Sequence, residues 1–449
     1  MEAREAVPFF FGVRMEFKRL RGFKDITSDE AQRFLRIEEA ARAVFERFGY
    51  EEIRTPLLEP KDLFTRAIGG ETDIVQKEMY EFEDRSNERV ALRPEGTASI
   101  VRAFIENDFD KTHGLAKFFY MGPMFRSERP QAGRLRQFHQ VGVELIGTAN
   151  PLSDAEVIHC LDVFLREAGV QNGWEIRVNN LGTFQERAGY KAKLSEFLAS
   201  KVSKLCADCQ KRYHTNVLRI LDCKNDACRE VARRAPVVSE SLGAESQAHF
   251  QDVLGALRSL VWMTPIKEDP YMVRGLDYYT KTVFEIVHEG LGAQDALAAG
   301  GRYDSLVESF GGPKIGAVGF AAGVERMASL IHLKPDNDKL RSDTVFIATL
   351  GQEARKRGFS LLSNLRENHQ IRAIADFDSG SLKSQLRAAI KNGARWAIII
   401  GDDELKKGKE GTGVFQLKDL SVERGIQEEY ELHDAPNVLN KKTKIVENV

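Results

Sequence analysis

The hydrophobic residues near the start of the chain follow a helical period. From Phe34 to Phe48 apolar side chains recur mostly at steps of three and four, and the run ends at Gly49. This spacing puts the apolar side chains on one face and predicts an amphipathic helix that ends at the glycine. Thr27 and Glu30 stand at the spacing of a capping box that would begin this helix.

A strand period replaces the helical one further along the chain. Segments 117–126 and 136–146 have the pattern of two strands joined by a turn, which predicts a long β-hairpin. Period two puts five side chains of the second strand on one face: Arg136, Phe138, Gln140, Gly142 and Glu144. A buried sheet face should be apolar, so this face predicts a polar ligand, for which Gly142 leaves a gap. A solvent-facing strand is the alternative.

The hairpin turn is rich in arginine. Four arginines fall within eleven residues, accompanied by Glu128: Arg126, Arg129, Arg134 and Arg136. Guanidinium groups stay charged and can hold phosphates bidentately. The set therefore suits a triphosphate or an RNA backbone, and a solvated charged turn is the plainer interpretation.

Two shorter motifs carry candidate chemistry. Glu95 and Thr97 follow Pro94 at the start of a predicted helix, where a carboxylate can hold an amino group or serve as an N-cap. Segment 274–280, Arg-Gly-Leu-Asp-Tyr-Tyr-Thr, combines a guanidinium, two tyrosine hydroxyls and a flexible glycine. It indicates either a binding loop or a tyrosine pair of the core.

The composition of the sequence and its pattern of predicted elements change twice after residue 180. Residues 182–270 are charged, helical in pattern and rich in cysteine, and they interrupt a strand-rich region, which indicates an insertion. Residues 300–326 are rich in glycine, which predicts a strand whose backbone a ligand approaches closely. Beyond residue 343, strand and helix patterns alternate, as is typical of parallel βαβ units in an α/β domain. The predicted organisation is an N-terminal extension over 1–14, a main domain over 15–340 interrupted by the insertion over 182–270, an α/β domain over 343–432 and a polar tail over 433–449.

Composition excludes several classes of protein. The chain has 449 residues, of which 42% are hydrophobic, and 65 Lys and Arg against 67 Asp and Glu give a net charge of −2. This balance excludes a globally basic nucleic-acid binder but permits a local basic site. No apolar run approaches the ~18 residues of a membrane span, and the N-terminus lacks the features of a secretory signal. We therefore expect a cytoplasmic protein with no membrane partner.

Four of the five cysteines lie within one short stretch of the insertion: Cys206, Cys209, Cys223 and Cys228. Their pattern, Cys-x2-Cys and Cys-x4-Cys separated by thirteen residues, is close to the spacing of structural zinc ligands, with a wide second pair. In a large chain without a secretory signal, reduced free thiols are equally compatible with this pattern. The sequence leaves both interpretations open.

Taken in order, these motifs resemble those of the histidyl-tRNA synthetase family, over essentially the whole chain from about Met15. Residues 49–58, 119–147 and 316–326 resemble the three motifs of class II synthetases. Segments 92–97 and 274–279 resemble the histidine-specific signatures. The resemblance implies an α+β catalytic domain with an antiparallel sheet flanked by helices, a helical insertion, a C-terminal α/β anticodon-binding domain and a homodimer.

The resemblance also implies a reaction. Histidine would attack the α-phosphate of ATP, with Mg²⁺ present, to give histidyl-adenylate and pyrophosphate. The terminal ribose of tRNA(His) would then accept the histidyl group. On the C-terminal domain, exposed cations on one predicted helix (Lys383, Arg387 and Lys391) would contact tRNA phosphates or form a solvated face.

Site residues follow from the resemblance position by position. The ATP-binding residues would be Arg126, Glu128, Arg134, Phe138 and Arg326. Arg274 would be catalytic together with Arg126, since it bridges the histidine carboxylate and the α-phosphate. The α-amino group would bind to Glu95, Thr97 and Gln140. The imidazole would bind to Glu144, Tyr279 and Tyr303, with Tyr278 beside them.

Three alternatives compete with this interpretation. The first is a catalytically inactive, synthetase-like regulatory subunit of histidine biosynthesis, a type of protein that loses the 274–279 signature and the C-terminal domain. The second is a non-catalytic RNA-binding module, which would not need the arginine set and the histidine pocket together. The third is a class II synthetase for another amino acid, which Glu144 and Tyr279 argue against.

Overall fold

A computed structural model describes residues 17–129, 134–260, 264–292, 295–332, 341–378, 380–422 and 427–444. The chain divides into two compact units, Met1–His332 and Leu333–Val449. The extension predicted over 1–14 lies outside the described residues.

The first unit contains helices and strands in a mixed order. Its helices are α1 (Ser28–Arg47), α2 (Lys61–Ile68), α3 (Thr97–Glu106), α4 (Phe109–Thr112), α5 (Pro151–Glu167), α6 (Phe184–Ala199), α7 (Ala207–Thr215), α8 (Asp226–Ala232), α9 (Ala244–Ser259), α10 (Leu306–Ser309) and α11 (Val324–Leu330). Its strands are β1 (Glu51–Glu52), β2 (Leu58–Pro60), β3 (Tyr80–Glu83), β4 (Arg89–Leu92), β5 (Ala116–Phe125), β6 (Gln137–Ile146), β7 (Trp174–Asn180), β8 (Ile266–Glu268), β9 (Thr280–His288), β10 (Ala296–Arg302) and β11 (Ala317–Gly323).

An eight-stranded sheet organises this unit, in the order β1-β5-β6-β11-β10-β9-β7-β8. The six central strands pair antiparallel, and the predicted hairpin forms between β5 and β6. The short strands β1 and β8 pair parallel at the two edges. The predicted antiparallel sheet flanked by helices is confirmed, with parallel pairing added at its edges. Strands β2, β4 and β3 form a separate small sheet.

The two faces of the sheet differ as period two predicts. On β6, Val141, Val143 and Leu145 are buried in an apolar core that also contains side chains of α1, α5, α9 and α11. The alternate residues Gln140 and Glu144 lie on the opposite face, where they line a cavity. One strand thus belongs to the core on one side and to the candidate site on the other.

Helix α1 is confirmed, but its predicted capping box does not form. Thr27 is the N-cap residue with extended backbone, and its side chain makes no capping hydrogen bond. Glu30 instead accepts a hydrogen bond from Lys24 Nζ at 2.7 Å. The carboxylate that would complete the box is therefore held by a cation outside the helix.

Part of the segment predicted as an insertion, 182–270, has its own small core. Side chains of α6, α7 and α8 and of the connecting turn Val217–Ile220 pack together, among them Tyr190, Leu194 and Ile220. Helix α9 belongs instead to the main core, through Phe250, Val253 and Leu254, and β8 joins the main sheet.

The second unit is a five-stranded α/β layer. It contains β12 (Arg341–Leu350), α12 (Gln352–Glu367), β13 (Arg372–Ala375), α13 (Leu382–Lys391), β14 (Ala394–Gly401), β15 (Val414–Asp419), β16 (Gln427–Glu431) and α14 (Ala435–Lys444). The strand order is β13-β12-β14-β15-β16, and the first three strands are parallel, as the alternating pattern predicts. Helix α14 occupies part of the segment predicted as a polar tail. Ala435 and Leu439 are buried in the core of this unit and Val438 packs against it, so apolar contacts hold a mostly polar segment in place.

Candidate active site

A cavity of about 630 Å³ opens on the polar face of the eight-stranded sheet. Its walls come from β6, β9, β10 and β11, from the start of α3, from the hairpin turn and from segment 273–279. The cavity brings together every residue that the sequence analysis assigned to ATP or histidine: Glu95, Thr97, Arg126, Glu128, Arg134, Phe138, Gln140, Glu144, Arg274, Tyr278, Tyr279, Tyr303 and Arg326.

Glu144 is a buried carboxylate at one end of this cavity. It is 1% exposed, and it accepts hydrogen bonds from Thr97 Oγ1 at 2.6 Å and from the Tyr303 hydroxyl. Burial raises the pKa of Glu144 to about 8, against an ordinary value of 4.5, although both hydrogen bonds act in the opposite direction. A carboxyl group in this state can exchange a proton near neutral pH and gains strongly from a cationic or N–H-bearing ligand.

Three tyrosine rings enclose the same end of the cavity. The Tyr278 ring centroid lies 4.7 Å from that of Tyr279 and 5.8 Å from that of Tyr303. Burial raises the pKa of Tyr279 to about 12, so its hydroxyl stays protonated and can donate a hydrogen bond. Paired with the Glu144 carboxylate, these hydroxyls offer both a donor and an acceptor, which is what a neutral imidazole requires.

Glu95 caps the helix that approaches the cavity. Its carboxylate accepts hydrogen bonds from the backbone N–H of Thr97 at 2.7 Å and of Ala98 at 3.0 Å, at the start of α3. Burial raises its pKa, and these amides oppose that shift. The capping alternative is therefore realised, and Glu95 still lines the cavity with its remaining lone pairs available to an amino group.

An arginine cluster forms the other end of the cavity. Arg126 Nε donates to Pro94 O at 2.9 Å, and the guanidinium lies 5.3 Å from the centroid of the Phe138 ring. Arg134 donates to Glu128 Oε2 at 2.8 Å. Burial lowers the pKa of Arg326, and the nearby charge of Arg134 lowers it further. Guanidinium groups that repel one another gain from a polyanion placed between them.

Only part of the predicted hairpin set reaches the cavity. Arg126 and Arg134 line it, whereas Arg136 packs over Gly22 and donates to the Glu128 carbonyl at 3.3 Å. Strand β6 begins at Gln137, so period two does not extend back to Arg136. Arg129 is exposed. The prediction that Arg136 shares the ligand-binding face is wrong.

Three glycines of the sheet, Gly142, Gly301 and Gly319, make room for neighbouring protein atoms, and Gly319 and Gly323 of β11 also line the cavity. The cross-strand partner of Gly142 is Tyr120, whose hydroxyl would lie 2.6 Å from a Cβ atom at residue 142. Gly319 lies against the Glu144 carboxylate in the same way, and Gly301 lies against the Tyr279 ring. The predicted gaps exist, but neighbouring side chains of the site fill them.

Two interactions of the cavity wall were missed by the sequence analysis. Arg274 forms an ion pair with Glu285 on β9 at 2.7 Å, and Asp73 accepts a hydrogen bond from Arg212 at 3.0 Å. Glu285 gave a local signal, since it is the charged residue within the apolar run 283–287. Asp73 gave none, because its partner lies 139 residues away.

Several buried polar atoms at the cavity lack partners within the described part of the chain. They are Gln140 Oε1, Arg219 Nε and Arg274 Nε. A buried polar atom without a hydrogen bond costs about 1–3 kcal/mol, so native structures leave few of them. Gln140 and Arg274 line the cavity, and a polar ligand there would satisfy them.

The antiparallel sheet, the arginine-bearing hairpin on its polar face and the separate α/β unit together define a class II aminoacyl-tRNA synthetase. Comparisons with known proteins specify the family. The model of histidyl-tRNA synthetase matches residues 22–327, and that of an anticodon-binding domain matches residues 344–442. The chain belongs to the histidyl-tRNA synthetase family.

Individual relatives agree with these family models. The histidine–tRNA ligase of Thermodesulfovibrio yellowstonii is 43% identical over 432 residues, covering 95% of this chain and 99% of that protein. That of Syntrophotalea carbinolica is 43% identical over 430 residues, covering 96% of this chain and 100% of that protein. The crystal structure of apo S. aureus histidyl-tRNA synthetase is 32% identical with a TM-score of 0.75, covering 94% of this chain and 100% of that one. These relatives favour a ligase over the regulatory-subunit alternative.

Within the described ranges, no helix combines the length and the apolar character needed to cross a bilayer.

Proposed function

We propose that the cavity activates L-histidine with ATP and transfers it to tRNA(His). The histidine carboxylate attacks the α-phosphorus, the bond to the β-phosphate oxygen breaks, and pyrophosphate leaves. The terminal ribose hydroxyl of the tRNA then attacks the carbonyl carbon of histidyl-adenylate, and AMP leaves. The observation that carries the proposal is one cavity with a buried carboxylate among tyrosines at one end and an arginine cluster at the other.

The buried end of the cavity suits histidine. Glu144, Tyr279 and Tyr303 satisfy the two imidazole nitrogens, while Gln140 Oε1 supplies an acceptor for the α-amino group beside Glu95 and Thr97. An apolar side chain in this place would leave these polar groups unpaired, which is the strongest form of discrimination available to a binding site.

The arginine end suits the triphosphate of ATP. Phosphoryl transfer needs positioning and charge stabilisation more than covalent help. Arg126 and Arg274 bind the reacting groups, Arg134 and Arg326 hold the terminal phosphates, and Phe138 stacks on adenine. Arg274 would orient the histidine carboxylate toward the α-phosphate.

Carboxylates in the cavity fit a Mg²⁺ ion that enters with ATP. Glu78, Glu128 and Glu285 line the same wall as the arginines, and hard carboxylate oxygens are ligands that Mg²⁺ prefers. Glu128 and Glu285 would hold the ion, which neutralises phosphate charge when bound. In the structure, these carboxylates form ion pairs with Arg134 and Arg274.

The second unit would recognise the tRNA anticodon. Lys383, Arg387 and Lys391 are exposed along α13, at a spacing that allows several phosphate contacts. We further propose that the protein is cytoplasmic and acts as a homodimer. Light scattering coupled to size-exclusion chromatography would test the homodimer.

The decisive experiment is ATP–pyrophosphate exchange with each of the twenty amino acids separately. Exchange with histidine alone supports both the chemistry and the specificity of the cavity. Exchange with a different amino acid would refute the histidine pocket, and a folded protein without any exchange would point to the inactive regulatory alternative. Charging of tRNA(His) with labelled histidine then tests the second step.

A further inference from the structure

The four clustered cysteines of the insertion converge on one point. Their sulfur atoms all lie within 4.8 Å of one another, and the Sγ atoms of Cys206 and Cys223 are 3.8 Å apart. A tetrahedral zinc with Zn–S bonds of about 2.3 Å has sulfur atoms separated by about 3.8 Å along each edge. All four cysteines are free of disulfide bonds.

The fold brings these four sulfur atoms together from three neighbouring parts of the chain. Cys206 immediately precedes α7 and Cys209 lies in its first turn, whereas Cys223 follows the turn Val217–Ile220 and Cys228 lies in α8. The backbone N–H of Cys206 donates to Cys228 Sγ at 3.2 Å. Such an N–H···S contact stabilises the negative charge that a ligated sulfur carries.

We propose that Cys206, Cys209, Cys223 and Cys228 bind one Zn²⁺ ion as four thiolates. Each thiol loses its proton to solvent as its sulfur becomes a ligand. Four protein ligands fill the tetrahedral shell and leave no position for water or substrate, so the site is structural and not catalytic. The proposal is independent of the proposed synthetase reaction.

A bound zinc ion would stabilise the insertion, because the apolar core of the insertion is small. The helices α7 and α8 are only nine and seven residues long. Cys209 and Cys228 are themselves part of the small apolar core, together with residues such as Leu194 and Ile220. Small cores rarely suffice alone, and metals commonly supply the missing stability.

The zinc site would also fix one wall of the cavity. Cys223 lines the cavity. Arg212 on α7, in the helix that bears Cys209, donates to Asp73 at 3.0 Å. Arg219 packs over Gly275, where a Cβ atom would lie 2.5 Å from its Nη1 atom. Because Gly275 precedes the signature tyrosines and follows Arg274, the metal would stabilise the loop that presents them.

Metal analysis of the full-length chain, purified without chelators, tests the proposal directly. Inductively coupled plasma mass spectrometry should find one zinc per chain that survives dialysis. Reconstitution with Co²⁺ should give the visible absorption bands of tetrahedral thiolate-bound cobalt. Cys209→Ser and Cys228→Ser should each lower bound metal at least tenfold, while the matched control Cys160→Ala, at a buried cysteine outside the cluster, should retain it.

Two results would overturn the zinc site. One is a folded wild-type protein that holds no zinc and gives no thiolate–cobalt spectrum after reconstitution. The other is metal that is retained in folded Cys209→Ser and Cys228→Ser variants, which would place it elsewhere. If these variants fail to fold, the wild-type metal content and cobalt spectrum still decide the question, and neither measurement depends on exchange activity.

Discussion

The carboxylate of Glu144 fills the space that a side chain of Gly319 would need. The two residues are cross-strand partners in β6 and β11, and a Cβ atom at residue 319 would lie less than 3.0 Å from Glu144 Oε2. The backbone carbonyl oxygen of Val143 would also lie less than 3.0 Å from that position. The buried carboxylate of the proposed imidazole site therefore depends on a glycine in the neighbouring strand.

The substitution Gly319→Ala should displace Glu144. Overpacking of this kind typically costs ~1–3 kcal/mol of stability, and we expect histidine-dependent exchange to fall more than stability alone explains. Gly189→Ala is the matched control, because Gly189 is exposed in α6 with nothing within 4 Å of its Cβ position, and alanine there should stabilise the helix. Urea unfolding and exchange kinetics measure both effects. Unchanged histidine KM in Gly319→Ala would contradict this relationship.

The substitution Glu144→Gln should impair the use of histidine far more than the use of ATP. The amide keeps the size of the side chain but loses the charge and one acceptor, so the loss should appear as a raised KM for histidine. Loss of a charged hydrogen bond costs about 1.5–3 kcal/mol, or ~10–200-fold. Steady-state exchange kinetics with each substrate varied in turn give the comparison, with the exposed Glu196→Gln as control. Equal losses for both substrates would remove Glu144 from the imidazole site.

The raised pKa of Glu144, about 8, predicts a pH dependence of stability in the ligand-free protein. The folded chain binds this proton more tightly than the unfolded chain, whose value is near 4.5. The contribution of Glu144 to the free energy of unfolding is therefore complete below about pH 4.5. It is lost as the pH rises through about 8. Glutamine cannot ionise, so the free energy of unfolding of the wild type, minus that of Glu144→Gln, should decrease between these limits. Urea titrations at a series of pH values measure this difference. If it stays constant from one pH to the next, the raised pKa of Glu144 is ruled out.

Arg274 and Glu285 form an ion pair, and we expect substitution of Arg274 to reduce activity more than substitution of Glu285. Arg274→His cannot bridge a carboxylate and a phosphate bidentately, so exchange should fall by at least ~10²–10³-fold, as when a transition-state donor is removed. Glu285→Gln keeps a hydrogen-bond acceptor for Arg274 and should reduce exchange less. Single-turnover adenylate formation and circular dichroism separate chemistry from folding. Near-normal exchange by a folded Arg274→His variant would show that Arg274 is not catalytic.

Removal of residues 343–449 should separate the two steps of the reaction. The buried apolar residues of the second unit pack with one another, so the first unit keeps its own core after truncation. We expect the truncated protein to retain much of its exchange activity and to lose most of its tRNA charging. Charging at the full-length rate would contradict the proposed role of the second unit.

Much of the fold could be predicted because its signals are local. The apolar period over 34–48 gave α1, and period two on β6 correctly separated the core residue Val143 from the cavity residue Glu144. The predictions failed where a residue outside the predicted element competes. Lys24 takes the carboxylate of Glu30 that would have capped α1. Tyr120 takes the space at Gly142 that was assigned to a ligand.

The site itself was predicted as a set of residues but not as an arrangement. The sequence motifs named each of the residues that we assign to ATP or histidine. They did not predict the hydrogen bonds and ion pairs that these residues form. Glu285 could not be matched to Arg274 from periodicity alone, because the two residues belong to a loop and a strand whose register is set by the whole sheet. The wall contributed by Asp73 and Arg212 joins parts of the chain that no local pattern connects.

The parallel strands at the edges of the eight-stranded sheet have a consequence for handling and storage of the protein. Strand β1 has two residues and β8 has three, so each edge offers few unpaired backbone groups to another chain. Long exposed edges promote strand pairing between molecules, and short ones suppress it. The strands β1 and β8 are therefore poor templates for strand pairing between molecules.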